Sequence, residues 1–314
     1  MPDTMQAVRI HQYGDTDQLQ LETIPIPQPQ ANEVLVRVHA VGVLPADNKT
    51  RQGFFKNFRP ITFPYTPCST FAGVIEALGA NVTNFKVGQP VFGRTTNGAA
   101  AEYITASIAT IAPKPDAITF AEAATISGGA TTAWSALFDN ANLQPDQHVL
   151  IHAAAGGVGL FAVQFAHWKG AHVTGTASAA NLDFVRSLGA ETVIDYNVVP
   201  FEDEVHNMDV VLDSVGDDTT SRSMVVLKPD GILVSLLGPP DQAEAQKHGI
   251  RAMNNTVITQ PYPSTSLLQT IADLMASGTI KTHIAEEFSL ADVRLAHQRV
   301  DTGHSRGRVI LRLT

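Results

Sequence analysis

From Gln147 to Gly238 the chain repeats one pattern: a short, almost wholly apolar run, then a stretch of helical composition, then another apolar run. HVLIHAA is followed by GLFAVQFAHWKG and AHVTGTAS by NLDFVRSLGA; ETVIDY, MDVVLDSVG, SRSMVVLKPDG and GILVSLLG continue the series. Strands that are apolar on both faces need helices on both sides, so this half of the chain predicts a doubly wound parallel sheet and an α/β fold. The run from Val149 to Ala166 approaches membrane length, but Gly156, Gly157 and Gly159 cluster inside it and His152 and Gln164 interrupt it. A buried strand, a turn and a helix describe it better than a membrane span.

The first third reads differently. In EVLVRVHAVGV, Val34, Val36 and Val38 alternate onto one face, and FAGVIEALG and AAAEYITAS look like further strands separated by glycine and proline turns. At Ile118 the pattern changes: Thr119 and Glu122 fit a capping box, and the alanine-rich stretch to Leu137 favours helix. We place the domain boundary there. After Pro261 a helical SLLQTIADLMASG precedes a strand-like RVILRL that has no partner left in the alternating series, so the tail is expected to return to the first domain. The expected division is 1–118 with 262–314 for one domain and 119–261 for the other. A chain of 314 residues suffices for two such cores.

Composition excludes several classes. Hydrophobic residues at 44% and charged residues at 16% are globular values. No block of clustered Lys and Arg interrupts a net charge of -9, so neither nucleic acid nor a membrane surface is an expected partner. A single cysteine, Cys68, excludes an intrachain disulfide and a Cys-pair zinc site and fits a reducing compartment. The N-terminus lacks an apolar core of secretory length. A soluble, cytoplasmic protein is expected.

Between the first strand and first helix of the alternating series lie Ala153, Ala154, Ala155, Gly156, Gly157, Val158 and Gly159, a G-x-G-x-x-G pattern with Ala154 in the first glycine's place. Gly156 would let the backbone approach a pyrophosphate, Gly159 would let helix and strand pack closely, and the helix N-terminus offers free N–H groups. In that context the turn points to a dinucleotide. NAD enzymes often end the second strand on a carboxylate that binds the ribose hydroxyls. Here the residues are Gly175, Thr176, Ala177 and Ser178, with Asn181 and Arg186 beyond, which favours NADPH. Ser178 and Asn181 are also good helix caps, and the two roles are compatible.

Taken together, MQAVRIHQYG, EVLVRVHAVGV, VTNFKVGQPVFG, AEYITAS, GGATTAW, HVLIHAAAGGVG, LGAETVIDY, DVVLDSVG and the closing GRVIL resemble the medium-chain dehydrogenase/reductase superfamily in its zinc-free quinone oxidoreductase, zeta-crystallin-like branch. The resemblance spans nearly the whole chain. It implies a GroES-like, partly open β-barrel catalytic domain built from both chain ends, an inserted Rossmann domain, an active site in the cleft and a homodimer. It also implies that Gly156, Gly157, Val158 and Gly159 line the pyrophosphate. Ser178, Asn181 and Tyr196 would surround the adenosine 2′-phosphate, and Thr132, Ser214, Val215 and Leu237 would lie towards the nicotinamide. A lysine frequent in the family near Asn181 is missing. The apolar stretch at 256–259 could supply a dimer edge.

Zinc members of the superfamily carry a Cys and a G-H-E where this chain has Leu44 and Cys68, Ser69, Thr70. Leu44 cannot ligate and Ser69 is a poor ligand, so no metal is expected. His148 and His152 share i, i+4 spacing, but on a strand they read as core or edge residues. The substrate pocket candidates are Leu44, Asp47, Tyr65 and Thr70, with Lys49 and Arg51 as further polar residues; no proton donor is assigned. Leu44 replaces a common Asn and Thr70 a usual acid, which makes the pocket more apolar and suits a bulky, weakly polar acceptor. The expected activity is NADPH-dependent hydride transfer to a small-molecule electron acceptor, a quinone or an α,β-unsaturated carbonyl compound. The alternative is a non-enzymatic NADPH-binding protein, since a fold alone does not guarantee turnover.

Overall fold

A computed structural model of the chain describes residues 3–255 and 263–313. The chain divides into two compact units: Met1–Gly128 with Tyr262–Gly278 and Thr282–Thr314, and Gly129–Pro261 with Thr279–Lys281. The apolar stretch at 256–259, read as a dimer edge, lies outside the described residues. Among the described residues no helix is long and apolar enough to cross a membrane.

The first unit holds β1 (Thr4–Arg9), β2 (Gln20–Pro25), β3 (Glu33–Val43), β4 (Thr70–Leu78), β5 (Pro90–Arg94), β6 (Tyr103–Ser107) and β7 (Ile111–Pro113). The second holds β8 (His148–Ile151), β9 (His172–Ala177), β10 (Thr192–Asp195), β11 (Met208–Asp213), β12 (Leu227–Ser235) and β13 (Arg251–Asn254). β14 (Ile284–Ser289) and β15 (Arg308–Arg312) belong to the first.

The long strand β3 organises the first unit. It pairs antiparallel with β4 along most of its length, with β6 through residues 33–37 and with β15 through residues 40–43. One strand with three partners forces the sheet β14-β15-β3-β4-β5-β7 to curl, the geometry of a partly open barrel. Val34, Val36 and Val38 enter a core with Phe71, Ile75, Ile104, Val309 and Leu311. The chain's last strand thus completes the sheet begun by its first third.

Thr119 caps the helix Phe120–Thr125 as its sequence demands: its hydroxyl accepts the Glu122 N–H at 3.2 Å, and Glu122 accepts the Thr119 N–H at 2.7 Å. That helix packs on β3 and β4, so the first unit runs on to Gly128 rather than ending at Ile118. The alanine-rich stretch is not one continuous helix. Ser127 leaves helical geometry at ψ 113° and Gly128 turns left-handed at φ 94°, and a short helix restarts at Thr131–Trp134.

In the second unit all strands are parallel, in the order β10-β9-β8-β11-β12-β13. This is the doubly wound order in which the chain starts at the centre, winds one way, then returns to wind the other. Helix Gly159–Lys169 is buried from Gly159 through Ala166, which is why its apolar residues encircle it instead of forming a stripe. Strand order reverses between β8 and β11, leaving a crevice beyond their C-terminal ends.

Candidate functional site

The turn after β8 stands at that crevice. Its backbone is held by Ala154 N–H donating to Thr176 O at 3.0 Å and Gly156 N–H to Ala153 O at 2.9 Å. Ala153 takes the left-handed conformation at φ 49°, so the sharp bend falls one residue before Ala154, the position read as the first glycine's. A Cβ on Gly159 would lie 2.3 Å from Ala153 O and 2.7 Å from Ala154 Cα, so only glycine lets the helix start this close to the strand. At Gly156 a Cβ would meet only Ala153 O, at 3.2 Å, so its lack of a side chain keeps the outer side of the turn clear.

Two buried polar groups fix the strand ends around the crevice. His152 is 2% exposed and bridges Thr176 Oγ1 at 3.1 Å and Ser223 Oγ at 2.9 Å. Because Ser223 donates its own proton to Thr219 O, His152 must donate from Nε2 and accept at Nδ1. Burial lowers this imidazole to about 4, so it is neutral, a framework group rather than a ligand. His148 stacks on His172 at a strand edge. The fully buried carboxylate of Asp213 accepts the N–H groups of Val215 (2.8 Å) and Gly216 (2.9 Å) and the Thr220 hydroxyl. Ser214 Oγ donates to His152 O at 2.8 Å and Leu236 N–H to Asp213 O at 2.8 Å, tying β11 to both neighbours. Neither His152 nor Asp213 reads as a site residue in the sequence, where His152 reads as a core or edge residue and Asp213 lies inside an apolar strand run.

The residues expected around a dinucleotide gather on this rim. Gly156, Gly157, Val158 and Gly159 follow β8; Ser178 and Asn181 follow β9; Tyr196 follows β10, its N–H reaching Ala177 O at 3.3 Å; Ser214 and Val215 follow β11; Leu237 follows β12. Thr132 joins them through Asn255, whose side chain donates to Thr132 O at 3.4 Å and whose N–H donates to Ser235 O at 2.7 Å. Tyr196, Val215 and Leu237 are large apolar side chains left 44–49% exposed at the ends of three strands. Such a rim suits a flat, partly apolar ligand.

Neither Ser178 nor Asn181 caps a helix with its side chain. Instead Asn181 Nδ2 donates to Ser178 Oγ at 3.1 Å, which uses the hydroxyl as an acceptor and leaves it still able to donate. Arg186 pairs with Asp183 at 2.8 Å on the helix surface.

In the barrel unit the four pocket candidates fall into two groups. Leu44 and Thr70 are buried side by side against Gly128, where a Cβ would lie 3.0 Å from Leu44 Cδ1 and 3.5 Å from Thr70 Cγ2. Thr70 Oγ1 donates to Gly42 O at 3.2 Å, so this wall presents methyl groups. Asp47 and Tyr65 instead line a cavity of about 390 Å³. Asp47 accepts the Leu44 N–H at 2.8 Å, and burial raises its carboxyl to about 6 against the pull of Arg94, Arg308 and Arg59. Lys49 lies over the Phe54 ring, and Arg51 is a buried structural residue that pairs with Asp301 and Gly14 O.

Arg308 was read only as the start of a strand. Its guanidinium is 4% exposed, and Nε and Nη2 have no hydrogen-bond partner among the described residues. Burial lowers it to about 10, while Asp47 supports the charge. These donors depart from the rule that buried polar groups are hydrogen-bonded. The only sequence signal for it was an arginine where a buried strand should be apolar. Among the described residues no three His, Cys, Asp or Glu side chains are arranged to hold a metal.

Two family models match the chain, the alcohol dehydrogenase GroES-like domain over 30–116 and zinc-binding dehydrogenase over 188–311. The quinone oxidoreductase of Mus musculus is 31% identical over 329 residues, which cover 98% of this chain and 98% of that protein. The chain belongs to the quinone oxidoreductase branch of the medium-chain dehydrogenase/reductases. Among solved structures of this superfamily, Escherichia coli quinone oxidoreductase complexed with NADPH is 27% identical, with a TM-score of 0.89 over 98% of this chain and 99% of that one. CurK enoyl reductase is 28% identical, with a TM-score of 0.91 over all of both chains. The curled sheet is therefore the GroES-like domain of this family, and the parallel sheet its Rossmann domain.

Proposed function

We propose that this chain is an NADPH-dependent reductase that delivers hydride, without a metal, to quinones or to the carbon-carbon double bond of α,β-unsaturated carbonyl compounds. The observation that carries this reading is the glycine turn at the strand-order reversal of the parallel sheet, with Ser178 at the end of β9 where a carboxylate would repel a phosphate. The residues fit the cofactor: Gly159 closes the turn and Gly156 clears its outer side. The Ser178 hydroxyl, an acceptor from Asn181, can donate to a 2′-phosphate oxygen. The bound NADPH complex of the Escherichia coli relative supports the same choice.

When bound, NADPH supplies the hydride; the chain's residues supply position and polarity. His152 and Asp213 hold the crevice open in one geometry. In the barrel unit, burial pushes the Tyr65 phenol up, so it keeps its proton and can hydrogen-bond an acceptor oxygen. The methyl surface of Leu44 and Thr70 suits a conjugated ring. No ligand set requires zinc, because positions 44, 69 and 70 carry Leu, Ser and Thr.

The test is a panel of quinones and enones followed by loss of NADPH absorbance, with NADH in parallel. Turnover of either class with NADPH supports the reading and distinguishes the substrates. Tight NADPH binding with no turnover across the panel would overturn it in favour of a binding protein.

A further inference from the structure

The cavity in the barrel unit has an unbalanced wall. Its polar residues include Asp47, Arg59, Tyr65, Ser69 and Arg94, and Phe55 contributes an apolar side. Arg94 Nη2 donates to Ser69 Oγ at 3.1 Å. The Arg59 guanidinium, by contrast, is exposed and acts on Asp47 through its charge. Tyr65 is half-buried and protonated, a further donor. Against these stands one carboxylate, Asp47, already engaged by the Leu44 N–H. Two guanidiniums face one acid, so the cavity carries an excess positive charge and more donors than acceptors.

The main chain that carries the exposed Arg59 side chain is fixed. Its N–H donates to Phe55 O at 2.7 Å, and Phe55 packs edge-on to Phe54 and Phe58 with centroids 5.3 and 5.6 Å away. The turn thereby puts a flat apolar wall and an exposed cation on the same cavity.

We propose that this cavity selects electron acceptors that carry an anionic oxygen group, a carboxylate or sulfonate on a conjugated ring, and that Arg59 sets the preference. The ring lies along Phe55 and Ile61, and the anionic group takes the fork of Arg59 with the Tyr65 hydroxyl beside it. A volume of about 390 Å³ holds a substituted one- or two-ring acceptor and leaves little room for a long side chain.

The proposal rests on the reductase reading for its kinetic test and on binding alone for a second. In the first, 1,4-naphthoquinone-2-sulfonate is compared with 1,4-naphthoquinone, and 4-carboxycinnamaldehyde with cinnamaldehyde, at low ionic strength. One charge-assisted contact corresponds to a preference of about tenfold in kcat/KM for the anion. In Arg59→Gln the anion-to-neutral ratio should fall to about one, chiefly through KM, and Arg59→Lys should restore part of it. A wild-type ratio of one or less, or the same ratio in Arg59→Gln, would overturn the proposal. In the second, calorimetry compares naphthalene-2-carboxylate with naphthalene-2-carboxamide on the full chain. Equal affinity would overturn the proposal even in an active reductase. Selective binding of the carboxylate by a chain that reduces no acceptor would sustain it while removing the reductase reading.

Discussion

Replacing Gly159 with alanine should damage the fold, whereas the same change at Gly156 should damage only what the fold binds. At Gly159 the new methyl would sit 2.3 Å from Ala153 O, over 1 Å inside the ordinary contact that begins at 3.4 Å, with Ala154 Cα and C at 2.7 and 2.8 Å. All three are backbone atoms and cannot rotate away. The helix cannot retreat either, because Leu160, Phe161, Ala162, Val163, Phe165 and Ala166 are all buried. Overpacking of this kind typically costs about 1–3 kcal/mol, and with no flexible neighbour the upper end applies. At about 2–4 °C per kcal/mol, Gly159→Ala should melt roughly 6–12 °C below wild type. At Gly156 the nearest atom is 3.2 Å away, so the melting temperature should stay within about 2 °C while the methyl intrudes where a pyrophosphate approaches. NADPH affinity should then fall by at least about tenfold. Differential scanning calorimetry and NADPH titration on both variants separate the effects. A Gly159→Ala protein as stable as wild type would refute the packing argument, and a Gly156→Ala protein with undiminished affinity would remove the ligand from this turn.

Other outcomes follow from the same geometry. Ser178→Asp should lower NADPH affinity by at least about tenfold and keep or improve NADH binding; unchanged NADPH affinity by titration would contradict the role given to Ser178. The folded pKa of His152 is depressed from 6.5 to about 4, so the unfolded chain takes the proton first and stability falls as pH drops through that window. Asp47, raised to about 6, acts in the opposite sense, and His297, lowered to about 3, in the same sense as His152. Between pH 7 and 5 the His152 contribution is about 2 kcal/mol, so urea unfolding of His152→Gln should show a shallower acid loss than wild type by that amount. Identical slopes would mean that the imidazole protonates in the fold. Dialysis against a chelator should leave turnover and melting temperature unchanged; stoichiometric zinc removed together with activity would show that the residues at 44, 69 and 70 had been misjudged.

What the sequence made legible was whatever depends on neighbours along the chain. The alternation after Gln147, the Thr119 to Glu122 capping box and the helix-opening turn at Gly159 are local patterns, and local physics enforces each of them. The returning tail was legible for a different reason: an apolar strand with no place in the parallel series needs another partner, and β3 is that partner. Relations between distant residues were not legible. Beyond an arginine in an apolar strand, GRVIL carries no sign that Arg308 is a buried cation beside Asp47, because its surroundings come from strands far away in sequence. The boundary drifted past Ile118 because helix Phe120–Thr125 packs backwards on β3 and β4, a tertiary preference that composition does not carry. Ser178 and Asn181 offered two compatible roles in sequence, capping and binding, and in the structure neither side chain caps a helix. Arg59 was passed over because the four cations at 49, 51, 56 and 59 serve different surroundings: Arg51 is buried and paired, while Arg59 lines a cavity.

The measurement that bears most directly on the nucleotide site is a pair of dissociation constants, NADPH and NADH, determined by calorimetry on the wild-type chain. With a hydroxyl rather than a carboxylate at the end of β9, NADPH should bind at least about tenfold more tightly. Equal affinities, or tighter binding of NADH, would contradict the assignment of the rim around Ser178 to a phosphorylated ribose.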